Sequence, residues 1–354
     1  MKTRLAVLRP FRSVLAFAAP LLALAALFSG AASAARAAGE VNLYSHRHYE
    51  IDKEIFAGFT KRTGITVNVV QASADQLIER LRSEGDNSPA DLLMTVDAGR
   101  LQRAKAAGLL RPATSPVLAA QVPAHLRDPD NQWHAVTVRA RVIIYAKDRV
   151  KPAELSTYEA LADPKWKGRL LVTSSRTVYN QSLLASIIAA DGRDAALAWA
   201  RGINANLARS PQGGDRDQAR AIAAGLADVA ITNTYYIGLL RTSKDARDRQ
   251  AGEAVEVFFP NQDGRGAHIN VSAAGLTRSA KNPDNAIKLL EYLTSPEVQA
   301  RFATANHEYP LSLDINASPV LRAFGPFKAD ERAVPQFGEL NATAVELFNA
   351  AGWQ

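Results

Sequence analysis

The run Asp91-Leu92-Leu93-Met94-Thr95-Val96 reads as a buried strand, and Asp97 behind it caps a helix that ends near Gly108. Upstream, Val41 to Tyr44 is a short strand. Ile51, Ile55 and Phe59 then recur at helical spacing, and Gly64 is placed to end that helix. Ile65, Val67 and Val69 alternate as in a half-buried strand, and Ser73 with Gln76 forms a capping box before the helical face Leu77, Ile78 and Leu81. The order is β-α-β-α-β-α, which predicts a mostly parallel sheet covered by helices.

A second unit follows in the same style. Val136 to Tyr145 and Arg169 to Thr173 read as strands, Gln181–Ala190, Asp194–Ile203 and Asp215–Gly225 as helices, and Asp228 to Thr232 and Val255 to Phe259 as strands. In the tail, Asn282-Pro283-Asp284 opens a helix with Ile287, Leu289, Leu290 and Leu293 inward. Ser295-Pro296-Glu297 starts the next, with serine as cap and proline at its first position. The pattern predicts an α/β protein of two lobes joined by extended crossovers. Each lobe is a mixed, mostly parallel sheet flanked by helices, and no low-complexity linker or repeat intervenes.

The first residues belong to export. Lys2, Arg4, Arg9 and Arg12 precede an apolar run from Val14 to Phe28, and Ala32-Ser33-Ala34 supplies the small residues of a signal-peptide cleavage site. Residues 1–34 are the expected signal peptide, with cleavage as late as residue 37. The run, broken by Pro20, is short for a membrane span. The chain has no cysteine, which removes disulfides, thiolate metal sites, cysteine nucleophiles and a lipid-anchored cleavage site together. A free, monomeric periplasmic protein without a membrane anchor is expected. Removing the leader takes four basic groups and no acidic ones, so the formal charge falls from +7 to +3. That balance, without a dense basic run, argues against nucleic acid as a partner. The absence of G-x-S-x-G and H-E-x-x-H argues against a secreted hydrolase.

Three aromatic clusters share one topological position. His46-Arg47-His48-Tyr49, Ser174-Ser175-Arg176-Thr177-Val178-Tyr179 and Asn233-Thr234-Tyr235-Tyr236 each follow a strand. Ligands of open α/β sheets bind beyond the carboxyl ends of strands, so these loops are placed to converge on a cleft. Phenols ionise near pH 10, and only a strong Lewis acid recruits several of them as phenolates at neutral pH. Zinc draws histidines or cysteines and calcium draws clustered carboxylates, and neither pattern is present. Ferric iron fits, with Arg176, Arg139 or Arg141 available to balance a phenolate or hold a small anion. The arginines at 139 and 141 are two apart, so a strand sets them on one face. Asp97 reads as a helix cap, His46 as a hydrogen-bonding residue, and Tyr44, Tyr145 and Tyr292 as core.

At these residues the chain resembles the periplasmic ferric iron-binding proteins of ABC importers, over essentially all of its mature length. The matching stretches are Val41-Asn42-Leu43-Tyr44-Ser45, Ala90-Asp91-Leu92-Leu93, Arg139-Ala140-Arg141-Val142-Ile143, Asp163-Pro164-Lys165-Trp166-Lys167-Gly168, Asn282-Pro283-Asp284-Asn285-Ala286 and, most specifically, Asn233-Thr234-Tyr235-Tyr236. The resemblance implies a type II periplasmic binding protein with its ligand in the inter-lobe cleft. The N-lobe would comprise residues 38–136 plus 263–315, and the C-lobe residues 137–262 plus 316–354. It implies that Tyr49, Tyr179, Tyr235 and Tyr236 ligate Fe³⁺, with His48 an alternative ligand in an open or alternative state. Arg176, Arg139, Arg141, Ser174 and Ser175 would stand behind them or hold a synergistic anion such as carbonate. A second branch of that family uses a histidine and a glutamate, but Met94-Thr95-Val96-Asp97 carries no glutamate. The implied partner is an inner-membrane ABC permease with its cytoplasmic ATPase. The alternative is a binding protein of this fold for an organic cation, a phosphonate or a sulfur oxyanion, with the tyrosines as a cage or wall.

Overall fold

The computed structural model describes residues 39–332 and 334–354. The expected signal peptide lies outside them, and no described helix is long and apolar enough to cross a membrane. The strands are β1 (Glu40–Ser45), β2 (Thr66–Gln71), β3 (Leu92–Thr95), β4 (Leu110–Arg111), β5 (Trp133–Ala146), β6 (Leu170–Leu171), β7 (Val229–Asn233), β8 (Val255–Phe258) and β9 (Ile269–Thr277). They hydrogen-bond in the order β2-β1-β3-β9-β5-β7-β6, with β4 beside β9 and β8 beside β5.

Strand β5 organises the fold. All fourteen of its residues are buried. Its first half, to Ala140, pairs antiparallel with β9, and from Arg141 onward it pairs antiparallel with β7. Strand β8 joins its second half from Ile143 to Ala146. One strand thereby belongs to two sheets, and the change of partner falls between Ala140 and Arg141. Arg139 and Arg141 flank that change, and neither side chain is more than 2 % exposed.

The helices follow the sequence closely where polar punctuation is strong. The helix Glu50–Thr63 ends on Gly64 at φ 73°, a left-handed cap that glycine adopts without steric cost. Ser73 and Gln76 form both halves of the capping box of Ala74–Glu84. Asp97 accepts from the Gly99 amide at 2.8 Å to cap Ala98–Ala106. Ser295 occupies the cap position of Pro296–Ala305, but its hydroxyl donates back to the Tyr292 carbonyl at 2.7 Å instead of capping.

Three further expectations change. The sheet is mixed as expected, but among the described strands only β1–β2, β1–β3 and β6–β7 pair parallel, so antiparallel pairs predominate. Strand β9, which the sequence pattern does not reveal, runs antiparallel against β3, β4 and β5, and β5 runs antiparallel against β7 and β8 as well. The strand expected over Arg169–Thr173 contracts to Leu170–Leu171, because Asn180 donates to the Thr173 carbonyl at 2.9 Å and turns the chain early. On the edge strand β2, Val69 is 39 % exposed while Val67 and Val70 pack inward, so the expected alternation breaks.

Candidate metal centre

Each tyrosine cluster sits where a strand hands over to a helix. Tyr49 is the residue before Glu50–Thr63, in extended conformation at φ −81° and ψ 145°. Tyr179 is the second residue of Val178–Asp191. Asn233 ends β7 and precedes Thr234–Arg241, which places Tyr235 and Tyr236 in that helix's first turn. Asn233 does not cap this helix with its side chain, since its Oδ1 accepts from Arg141 at 3.2 Å.

The four tyrosines meet around Tyr235. The Tyr49 hydroxyl donates to that of Tyr235 at 3.2 Å, and the hydroxyls of Tyr179 and Tyr235 are likewise 3.2 Å apart. The Tyr236 ring lies alongside, its centroid 4.1 Å from that of Tyr235. Tyr235 is wholly buried, Tyr179 is buried, and Tyr49 and Tyr236 keep partial exposure. Burial pushes the phenols of Tyr49, Tyr235 and Tyr236 well above their ordinary range, and mutual repulsion, led in each case by Tyr179, pushes them the same way. At neutral pH these three are therefore neutral in the unliganded protein.

Two arginines lie beneath. The Arg139 guanidinium carbon is 5.8 Å from the ring centres of both Tyr179 and Tyr235, and that of Arg141 is 5.8 Å from Tyr179. They share a face, as the strand spacing requires. Each is also engaged from behind. Arg139 bonds Glu308, Ser272 and the Val96 carbonyl. Arg141 bonds Asp215, Asn233 and Asn180. Burial alone would raise the Glu308 carboxyl, but Arg47 and Arg139 outweigh it and hold the group down at about 2. Beneath the tyrosines, Arg47, Arg139 and Arg141 face Asp52, Glu308 and Asp215, an equal number of opposite charges.

The remaining expected residues divide: His48 stacks on Tyr49, while Ser174 to Arg176 border a separate cavity. Ser174, Ser175 and Arg176 line a cavity of about 740 Å³ with Gln181, Phe348 and Trp353, and none of the four tyrosines borders it. His48 is exposed; its ring stacks on Tyr49 at 5.2 Å and its Nδ1 is 3.3 Å from the His46 carbonyl. Asp97, read as a cap, also uses its second oxygen on Ser182 at 2.6 Å and on Asn270. Among the described residues no group of three or more His, Cys, Asp or Glu could hold a metal ion. Glu308 and Asp215 escaped the sequence reading, since neither lies in a motif.

The fold is mixed α/β, and its switch strand carries paired arginines beneath convergent phenols. The chain belongs to the bacterial extracellular solute-binding proteins, a family whose pattern matches residues 54–329. It is 49 % identical to iron uptake protein A1 of Synechocystis sp., over 89 % of this chain and 88 % of that one. Among solved structures it is similar to the Trichodesmium protein IdiA (FutA) in complex with iron and citrate ligands. That likeness has 48 % identity and a TM-score of 0.85, covering 89 % of this chain and all of that one. A ferric binding protein from Campylobacter jejuni gives 46 % identity, a TM-score of 0.85 and the same coverage.

Proposed function

We propose that this chain captures ferric iron outside the cytoplasm in a site of tyrosine phenolates and delivers it to an inner-membrane ABC permease driven by a cytoplasmic ATPase. The observation that carries this reading is the convergence of the Tyr49 and Tyr179 hydroxyls on Tyr235, each at 3.2 Å. Ligand oxygens set tetrahedrally about 2 Å from a metal lie about 3.3 Å apart, so the phenols are spaced as a coordination shell would need them. Three phenolates neutralise Fe³⁺, and a fourth leaves one negative charge facing Arg139. The names of the relatives, iron uptake and ferric binding proteins, support the same cargo.

On this reading Tyr49, Tyr179, Tyr235 and Tyr236 are the ligands and His48 is a bystander to Tyr49. Arg139 and Arg141 hold the phenols rather than an anion, since both are engaged by carboxylates. Tyr49 belongs to the lobe of residues 38–136 plus 263–315, and the other three to residues 137–262 plus 316–354. The change of partner within β5 supports that division. The mature protein works as a free periplasmic monomer, and its task is binding rather than turnover.

Chelated Fe³⁺ added to the purified apo-protein tests the reading. A visible phenolate-to-iron charge-transfer band is expected, lost or strongly reduced in Tyr235→Phe and Tyr236→Phe. An apo-protein that stays colourless with saturating ferric iron would overturn it.

A further inference from the structure

We infer that Arg47 and Glu308 are a positioning pair that seats Tyr49 for metal binding, a role that rests on the ferric reading above. Arg47 stands two residues before Tyr49, yet it presents no donor to a ligand. Its Nε and Nη2 bond Asp52, at 3.3 Å and 2.9 Å. Nη1 and Nη2 grip Glu308 as a fork, at 3.0 Å and 2.9 Å. Nη1 also reaches Ser272 at 2.6 Å and Thr137 at 3.3 Å. What remains free is the flat face of the guanidinium, and on it lies the Tyr49 ring, 4.8 Å from its carbon to the ring centre. Phe302 packs at 5.0 Å.

These charges are deep. Arg47 is 1 % exposed and Glu308 wholly buried. Buried ion pairs are no better than apolar packing at holding a fold together, so their value here is geometric: a bidentate fork fixes the plane of the guanidinium. That plane fixes the ring of Tyr49, the ligand proposed from the loop after β1.

Glu308 is the fixed end of the pair. Asn306 and Thr137 each donate to it at 2.8 Å, and Tyr309 pairs with Val138 of β5 through two backbone bonds. Its neighbour His307 holds a left-handed backbone at φ 55° and meets Thr242 at 2.9 Å, at the end of the helix that carries Tyr235 and Tyr236. Four consecutive residues thus touch the supports of both groups of phenols. The same carboxylate also bonds Arg139, which underlies Tyr179 and Tyr235.

The test is a double-mutant cycle read by ferric affinity and by the charge-transfer band. Glu308→Gln keeps the volume and removes the charge. Its apparent ferric affinity is expected to fall about 10- to 100-fold, as when an outer partner of a metal ligand is lost. Its band should shift to match that of Tyr49→Phe. Added to Tyr49→Phe, it should cost several-fold less than it does alone, because the ligand reached through Arg47 is already gone and only the Arg139 contact beneath Tyr179 and Tyr235 remains. Glu308→Asp should recover part of the loss. If circular dichroism shows Glu308→Gln unfolded, Arg47→Lys carries the test, since it keeps the charge but has no flat face or fork. Losses that multiply in the double variant, or a band unchanged from wild type, would overturn the pairing role alone. A colourless wild type would sink the ferric reading and this role with it.

Discussion

The hydroxyl of Tyr49 lies 3.2 Å from that of Tyr235 although 186 residues separate them along the chain. Tyr235 is also within 3.2 Å of Tyr179, so it is the shared neighbour of the cluster. Replacing the shared oxygen removes two contacts at once, whereas replacing Tyr49 removes one. In titrations with a competing ferric chelator, Tyr235→Phe should therefore lose more affinity than Tyr49→Phe. Its loss should exceed the 10- to 100-fold typical of an outer partner. Equal losses at the two positions would contradict the shared role of Tyr235.

Gly238 makes a second case, because two effects of opposite sign meet there. Alanine in the middle of a helix is ordinarily favoured over glycine by about 1 kcal/mol. Here a Cβ would come within 2.8 Å of three atoms of His307. Overpacking of this kind costs about 1–3 kcal/mol. Gly238→Ala is expected to lower the thermal midpoint, and to weaken ferric binding as the Thr234–Arg241 helix shifts. A midpoint at or above that of wild type would show that the His307 side moves aside freely.

Asp215 tests the second arginine. Its Oδ1 accepts from Arg141 and from the Asn233 amide, the latter at 3.1 Å, where the strand passes into the tyrosine helix. Asp215→Ala leaves a buried guanidinium without its counter-charge, which costs about 3–5 kcal/mol. Urea unfolding should show that loss, with a smaller one for Asp215→Asn. If Asp215→Ala unfolds like wild type, Arg141 does not depend on the carboxylate.

Acid should weaken the fold through its buried histidines. Burial first, and then the neighbouring Arg141 and Arg265, lower His268 to about 3. Burial and Arg127 lower His134 to about 4. Their unfolded-state value is near 6.5, so below that pH the unfolded chain binds protons that the folded chain refuses. The stability is present in full above about pH 6.5 and is lost as pH falls toward 4 and then 3. Each histidine contributes a slope of about 1.4 kcal/mol per pH unit in that window. Unfolding of apo-protein between pH 7 and pH 4 should show the decline, and His268→Gln should flatten it by about that slope. An unchanged slope in His268→Gln would assign the acid sensitivity elsewhere.

How much of this was legible depended on how local the signal was. Gly64, the Ser73–Gln76 box and Asp97 act within one turn of chain, and each ends or starts its helix as read. The tyrosine loops were legible for a related reason, since strand-then-helix order alone sends a loop to a sheet edge. Strand β9 was hidden because Ile269–Thr277 mixes Asn270, Ser272 and Gly275 into a buried strand, which blurs both alternation and a continuous apolar run. Glu308 was hidden more deeply. Its partners, Arg47 and Arg139, lie 261 and 169 residues away, and nothing beside it in sequence announces a buried carboxylate. Arg176 is a different case: three residues from Tyr179 in sequence, it lines a cavity that the tyrosines do not border.

The Arg47–Glu308 contact also bears on the order in which the molecule assembles. Tyr179 and Tyr235 close a loop of 56 residues, while Arg47 and Glu308 close one of 261. By loop-closure entropy alone the longer closure costs about 1.4 kcal/mol more, and contacts so remote in sequence slow folding. A chain still lacking its last fifty residues already contains every tyrosine of the cluster, but not the carboxylate that anchors Arg47 under Tyr49. During synthesis or translocation, then, a nascent chain holds all four phenols before it holds the means to orient them. On the proposed ferric reading, Tyr49 is seated only once the segment carrying Glu308 has reached Arg47.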